Sequence, residues 1–465
     1  MEISRRQFMQ SSAAITLGFG GLSLLMRRAA AEGPVARLAA EGFGALVPEP
    51  NGLLNIPQGF TCKVVSRRGD QTVDGLLLPG RPDGMAAFAG PDGTTVVVCN
   101  HENSADEFEQ SGYGVDNALI KNVDPATFYD FGFGKQPCLG GTSTFVYDTK
   151  SGETLRKFHS LRGTSRNCAG GPTPWGTWIT CEETVQRADA THEKDHGWCF
   201  EVPAHADAFV AEPKPLLGMG RFNHEAIAVD PKSGMVYLTE DEHDGLLYRY
   251  VPAVKEKLHE GGRLEVLCRK GVASYDTRNW GMGKAIEPGE SFEVTWLPID
   301  KTDNPDNDLR LRGYGMGAAR FARGEGMWHG NDAIYFACTN GGKLNKGQIW
   351  RYVPSPAEGT AEEVNAPGRL HLFIEPNDGG LIENCDNVTV APWGDLIVCE
   401  DGTGEQYIVG ITPEGGIYKL AHNATEGDSE FAGATFSPDG STLFFNIQKD
   451  GLTLALTGPW GTRKA

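Results

Sequence analysis

The chain has 465 residues, 40% of them hydrophobic and 22% charged, with 42 Lys and Arg against 61 Asp and Glu for a net charge of −19. That length allows two or three ordinary domains or one large all-β or repeat domain, and the apolar content suffices for a sizeable core. The acidic balance argues against a basic surface for nucleic acid or anionic membrane, and leaves either a solvated acidic face or carboxylates that hold cations.

The N-terminus reads as an address. SRRQFMQ (4–10) precedes the mildly apolar SSAAITLGFGGLSLLM and the small residues at 29–31. Paired arginines, a short apolar region and a small-residue cleavage site are the pattern of a twin-arginine export signal. The apolar part is too short and too rich in Gly and Ser for a stable membrane span. Residues 1–32 are therefore expected to be a signal peptide read by the twin-arginine export machinery. Residues 33–465 then form a single domain that works in the periplasm or outside the cell.

From there the chain repeats itself. An apolar run, a Pro/Gly or Gly/Asn turn, a second apolar run and a polar terminus recur six times. The segments are MAAFAGPDGTTVVVCNHE (85–102), CAGGPTPWGTWITCEE (168–183), EAIAVDPKSGMVYLTED (225–241), EGMWHGNDAIYFACTN (325–340), DNVTVAPWGDLIVCED (386–401) and GATFSPDGSTLFFNIQ (433–448). The turns carry hairpin chemistry and the flanks are rich in Val, Ile, Phe, Tyr and Thr. Between them STFVYD (143–148), LLYRYVP (246–252), QIWRYVP (348–354), RLHLFIEP (369–376) and GGIYKLA (415–421) supply further strands. About four strands per unit predict an all-β fold, a closed six-bladed β-propeller with irregular insertions.

Cys99, Cys181, Cys338 and Cys399 hold nearly the same place near the end of the second run, which predicts compact apolar packing rather than disulfides. Cys168 differs, since it opens its repeat. In an antiparallel hairpin the start of one strand lies beside the end of the next. Glu225 should then neighbour Glu240 and Asp241; Cys168, Glu182 and Glu183; Asp386, Glu400 and Asp401; Glu325, Asn340. As the inner strands of blades, these ends meet at one mouth of the central channel, joined by Asn100, His101 and Glu102. Crowded carboxylates need raised pKa values or cations between them. Oxygen donors suit Ca²⁺, and a thiolate among them suits a transition metal such as iron. Arg323, two residues before Glu325 on the same face of a strand, presents a fork suited to phosphate oxygens; Arg166 is a second candidate. No Walker loop, GxSxG elbow or HExxH helix is present. The absence of a Cys-x-x-Cys pair argues against a structural zinc site.

These motifs together resemble the PhoX-type alkaline phosphatase family. The resemblance is carried by NHEN (100–103), RNCAGGPTPWGTWITCEE (166–183), NHEAIAVDP (223–231), RGEGMWH (323–329), NVTVAPWGDLIVCED (387–401) and GATFSPDGSTLFFN (433–446). It implies a calcium–iron cluster at the propeller mouth and hydrolysis of phosphate monoesters. Carried over by motif, Cys168 is the thiolate ligand of iron, and Glu183, Glu225 and Glu325 are shared carboxylate ligands. Arg323 is the catalytic, phosphate-gripping arginine, and Glu182, Glu102, Glu240 and Glu400 are further acids of the metal set. NIQKDG stands where the family often has NIQHPG. Two other readings fit the repeats: a calcium-dependent propeller lactonase, which has no use for Cys168, and a non-catalytic binding propeller stabilised by calcium.

Overall fold

The computed structural model describes residues 38–281 and 283–464; the expected export signal lies outside them. Among the described residues almost all regular structure is β, with one α-helix, Leu309–Met316, and scattered 3-10 turns. Each of the six sequence repeats folds as an antiparallel hairpin, because each turn sits between two β-branched or aromatic runs of matching length. The first strands of these hairpins are Pro82–Ala89, Asn167–Pro172, His224–Val229, Gly324–Gly330, Cys385–Val390 and Phe431–Phe436. They touch one another in that order, and the last touches the first. The sheets thus stand in a ring, as in a β-propeller.

We number the units 1 to 6 in chain order. Unit 1 has four strands, from Pro82–Ala89 to Glu153–Thr164. Unit 2 stops at three, ending with Cys199–Pro203. The chain beyond makes only an isolated bridge, Phe200 to Pro215, since Pro213 and Pro215 lack the N–H groups a fourth strand would donate. The outer strands of units 3 and 4 join through Ser291–Pro298. That strand pairs with Gly262–Arg269 on one side and, over three residues, with Arg369–Ile374 on the other. Unit 5 is extended by Leu54–Pro57 and Leu46–Pro48. Unit 6 borrows its outer strand from early in the chain, as Thr61–Arg67 pairs with Leu452–Thr457 and ties the two ends of the ring together.

Near the axis the inner strands approach so closely that only small residues fit. A Cβ on Gly84 would lie 2.6 Å from Ala169 Cα, and one on Gly326 would lie 2.6 Å from Asn387 Cα. Cys99, Cys181, Cys338 and Cys399 are buried in the second strands, and all ten cysteines are unbridged. No helix among the described residues is long and apolar enough to cross a membrane.

Candidate metal centre at the propeller mouth

One irregularity recurs in every unit. The pairing of first with second strand slips just after the strand begins, between Pro82 and Met85, Asn167 and Gly170, His224 and Ile227, Gly324 and Met327, Cys385 and Val388, and Ala432 and Thr435. A bulge of this kind re-aims the side chain it carries. The bulged positions hold Asp83, Cys168, Glu225, Glu325, Asp386 and Gly433. The first five line a single cavity of about 210 Å³ at the mouth of the ring. Ligating atoms of Cys168, Glu183 and Glu225 lie within 4.8 Å of one another, as do those of Glu225, Glu325 and Asp386, so Glu225 belongs to both groups.

The ends of the second strands supply the next layer, and here the pleat decides. Neighbouring side chains on an extended strand point to opposite faces. Glu183, Asp241 and Asp401 face the cavity, whereas Glu182, Glu240 and Glu400 do not line it. Glu182 accepts from the backbone N–H groups of Ser165, Gly197 and Trp198 and pairs with His196 Nδ1 at 2.6 Å. Glu240 accepts from Leu246 N and the Tyr248 hydroxyl. Glu400 accepts from the N–H groups of Glu383 and Tyr407 and pairs with Lys419. The expectation that these three acids belong to the metal set is therefore corrected: their oxygens fasten the connections behind each hairpin. Glu102 does reach the cavity, but it sits between guanidiniums. Arg81 Nη2 is 2.5 Å and Arg166 Nη2 2.8 Å from its carboxylate, and Gln448 Nε2 donates to it at 3.0 Å.

Three arginines overlook the acids from equivalent positions, two residues before a bulge. Arg81, Arg166 and Arg323 have φ of 45°, 50° and 49°. Left-handed backbone is costly for a residue with a Cβ and gathers at functional sites. Arg323 grips Asp241 through Nε and Nη2, both at 2.7 Å, and Nη2 lies 2.9 Å from Glu325. Arg166 Nη2 is 2.6 Å from Glu183. The repeat pattern by itself does not single out Arg81, Asp83 or Glu430. For the first two a signal exists: Arg81-Pro-Asp83, Arg166-Asn-Cys168 and Arg323-Gly-Glu325 share an Arg two residues before an acid or cysteine.

The electrostatics of this cavity call for either retained protons or bound cations. Its lining has nine carboxyl groups against three guanidiniums. Without ions, burial and then the charge of Glu102 and Asp386 push Asp83 well above the usual carboxylate range. Burial, then Asp386 and Glu183, does the same to Glu225. Burial pushes Glu183 up to about 8, with Arg166 opposing and Glu102 adding, and pushes Asp386 up to about 8 with Asp401 adding. The Cys168 thiol rises well above its ordinary value through burial, then Glu225 and Glu183. Arg323 stays protonated despite its burial because Glu325 and Asp241 face it. The donor set fits metals: hard carboxylate oxygens suit a multivalent hard cation, and one thiol beside Glu183 and Glu225 suits a softer one. Gln448 Oε1 is buried with no hydrogen-bond partner, an amide oxygen left over at a site that can use one.

An acidic cavity with candidate ion positions at the mouth of a ring of β-sheets is the arrangement of a metal-binding β-propeller. Comparison with known proteins sharpens that class. The profile of the family Alkaline phosphatase PhoX matches residues 41–127 and 135–451. The chain belongs to that family and is a phosphatase. Among solved structures it is similar to Pseudomonas fluorescens PhoX in complex with vanadate, a transition state analogue. Identity is 18%, the TM-score 0.64, and the match covers 90% of this chain and 98% of that one. Lower similarity extends to virginiamycin B lyase from Staphylococcus aureus, at 11% identity and TM-score 0.37 over 86% of this chain and 99% of that one. A gluconolactonase from Xanthomonas campestris matches at 15% identity and TM-score 0.35, over 90% and 98%. No curated protein matches significantly.

Proposed function

We propose that this phosphatase hydrolyses phosphate monoesters at a multinuclear calcium–iron site built from the bulged residues, and that it works after export by the twin-arginine route. The observation that carries the reading is the cavity's composition, nine carboxyl groups and one buried thiol under three guanidiniums. A phosphate dianion is repelled by such a cavity unless positive ions already sit in it. Bound cations would neutralise charge on the phosphoryl oxygens and polarise water for attack.

The chain's own residues set the rest. Cys168 would be the donor for iron, with Glu183 and Glu225 at its side, and Glu225, Glu325 and Asp386 would hold a second ion. Arg323, fixed by Asp241 in a two-bond grip, presents its remaining donor surface to the transferring group. It needs no reorientation on binding, which is the condition for strong charge stabilisation. Arg166 and Arg81, tied through Glu102, line the same mouth. The vanadate complex of the similar Pseudomonas fluorescens protein supports a phosphoryl group as the species bound here.

Replacement of Cys168 by Ala tests the reading. Iron content should fall, and hydrolysis of an aryl phosphate should drop by at least the roughly 10–100-fold that even outer partners of a metal site cost. Full iron content with unchanged hydrolysis overturns it.

A further inference from the structure

A second cluster of ligating side chains lies apart from the mouth; none of its members lines that cavity. Asp130 and Cys138 come from the long connection inside unit 1, between Thr94–His101 and Gly140–Asp148. His192 and His196 come from the connection inside unit 2, between Thr177–Glu182 and Cys199–Pro203. Asp130, Cys138 and His196 are fully buried, and their ligating atoms lie within 4.8 Å of one another. His196 Nε2 is 3.6 Å from Cys138 Sγ and 3.3 Å from Asp130 Oδ2. Around a tetrahedral zinc ion, bonds of about 2.3 Å to sulfur and about 2.0–2.1 Å to nitrogen or oxygen set ligand atoms roughly 3.3–3.6 Å apart.

The histidines are also held as metal ligands are held. Glu182 Oε1 takes His196 Nδ1 at 2.6 Å, and Asp189 Oδ1 takes His192 Nδ1 at 3.1 Å. A carboxylate on the far nitrogen fixes the ring and turns Nε2 toward an ion. The His192 ring meets that of His196 edge-on at 5.8 Å between centroids, which places it beside the cluster. We propose that Asp130, Cys138 and His196, with His192 completing the set by a side-chain adjustment, form a closed zinc site that staples the two connections together. One thiolate and two imidazoles select a borderline ion such as zinc over calcium, and a set drawn from two connections needs no Cys-x-x-Cys pair, so the absence of that motif argues only against a cysteine-paired zinc site.

The staple has a purpose in this fold. Residues 102–139 contain only short 3-10 turns and one isolated bridge, Phe128 to Arg162, and a connection that long without regular elements needs deep anchors. The same connection supplies Glu107, which holds Arg81 at the mouth at 3.2 Å. The competing arrangement is a metal-free ion-pair network in which an imidazolium sits between Glu182 and Asp130.

Elemental analysis and cobalt substitution of the full chain in a Cys168→Ala background, which removes the mouth thiolate, separate the two. The proposal expects bound zinc in that background, and a thiolate-to-cobalt charge-transfer band after exchange. Both should vanish in Cys138→Ser. His192→Asn, on the more exposed part of the connection, keeps the test valid should the first variant misfold; it should bind zinc at least tenfold more weakly. Overturning results are the absence of zinc from zinc-replete protein, or zinc and a cobalt band unchanged in both variants.

Discussion

Glu182 and Glu183 stand one position apart on an extended chain, and the pleat sends one carboxylate to the backbone and the other to the cavity. The same division separates Glu400 from Asp401. Substitutions should therefore part along it. Glu183→Gln is expected to lower metal content while leaving the metal-free melting temperature near the parent's, because its loss also relieves carboxylate crowding. Glu400→Gln should leave metal content intact and cost about 1–3 kcal/mol of stability, the usual effect of weakening buried charged hydrogen bonds. Metal analysis beside denaturant titration checks both. Arg323 gives a third residue-scale prediction. Arg323→Lys keeps the charge but loses the planar fork that Asp241 holds at two points. Hydrolysis should fall roughly 100-fold or more, the cost of losing an oriented transition-state donor, with iron content unchanged. Activity within a few-fold of the parent's would remove Arg323 from the chemistry.

At the scale of the element, the unit of function is the bulge rather than the strand. Hairpins were legible in the sequence because Pro-Asp-Gly, Pro-Trp-Gly and Gly-Asn turns sit between runs of Val, Ile, Phe and Tyr, and local chemistry of that kind needs no tertiary context. Pairing of the acids within each hairpin follows from antiparallel geometry, and their convergence at one mouth from the ring that the repeats predict. Which of two adjacent acids faces inward does not, because it depends on a one-residue slip that no propensity reveals; Glu182, Glu240 and Glu400 were misplaced for that reason. Asp83 escapes the pattern because the apolar run of its repeat begins at Met85, past the bulge. Gly433 tests the importance of the device. It holds the bulge position in unit 6 at φ 65°, and a Cβ there would lie 2.2 Å from the carbonyl oxygen of Asp83. Gly433→Ala should push the Asp83 strand away and cost about 1–3 kcal/mol, as overpacking does. A urea midpoint equal to the parent's would show that the ring tolerates more slack than its geometry implies.

For the whole molecule, ring closure and cation binding oppose and balance the same charge. The pairing of Thr61–Arg67 with Leu452–Thr457 fixes the circumference, and that partner was illegible because it lies at the opposite end of the chain, outside any repeat. With the circumference fixed, the inward acids cannot separate to relieve their repulsion. In metal-free protein Glu183 rises from 4.5 to about 8 and Asp386 from 3.8 to about 8. Between about pH 4 and 8 the folded state then holds more protons at these groups than the unfolded state does, so their effect makes stability fall as pH rises through that window. Cations compete with those protons, and their grip strengthens as the carboxylates ionise. The melting temperature of chelated protein should therefore fall from about pH 5 to about pH 8, while that of metal-replete protein changes less, so the gap between them widens toward alkaline pH. A gap that stays constant or narrows would mean that the mouth acids are not where the ions bind.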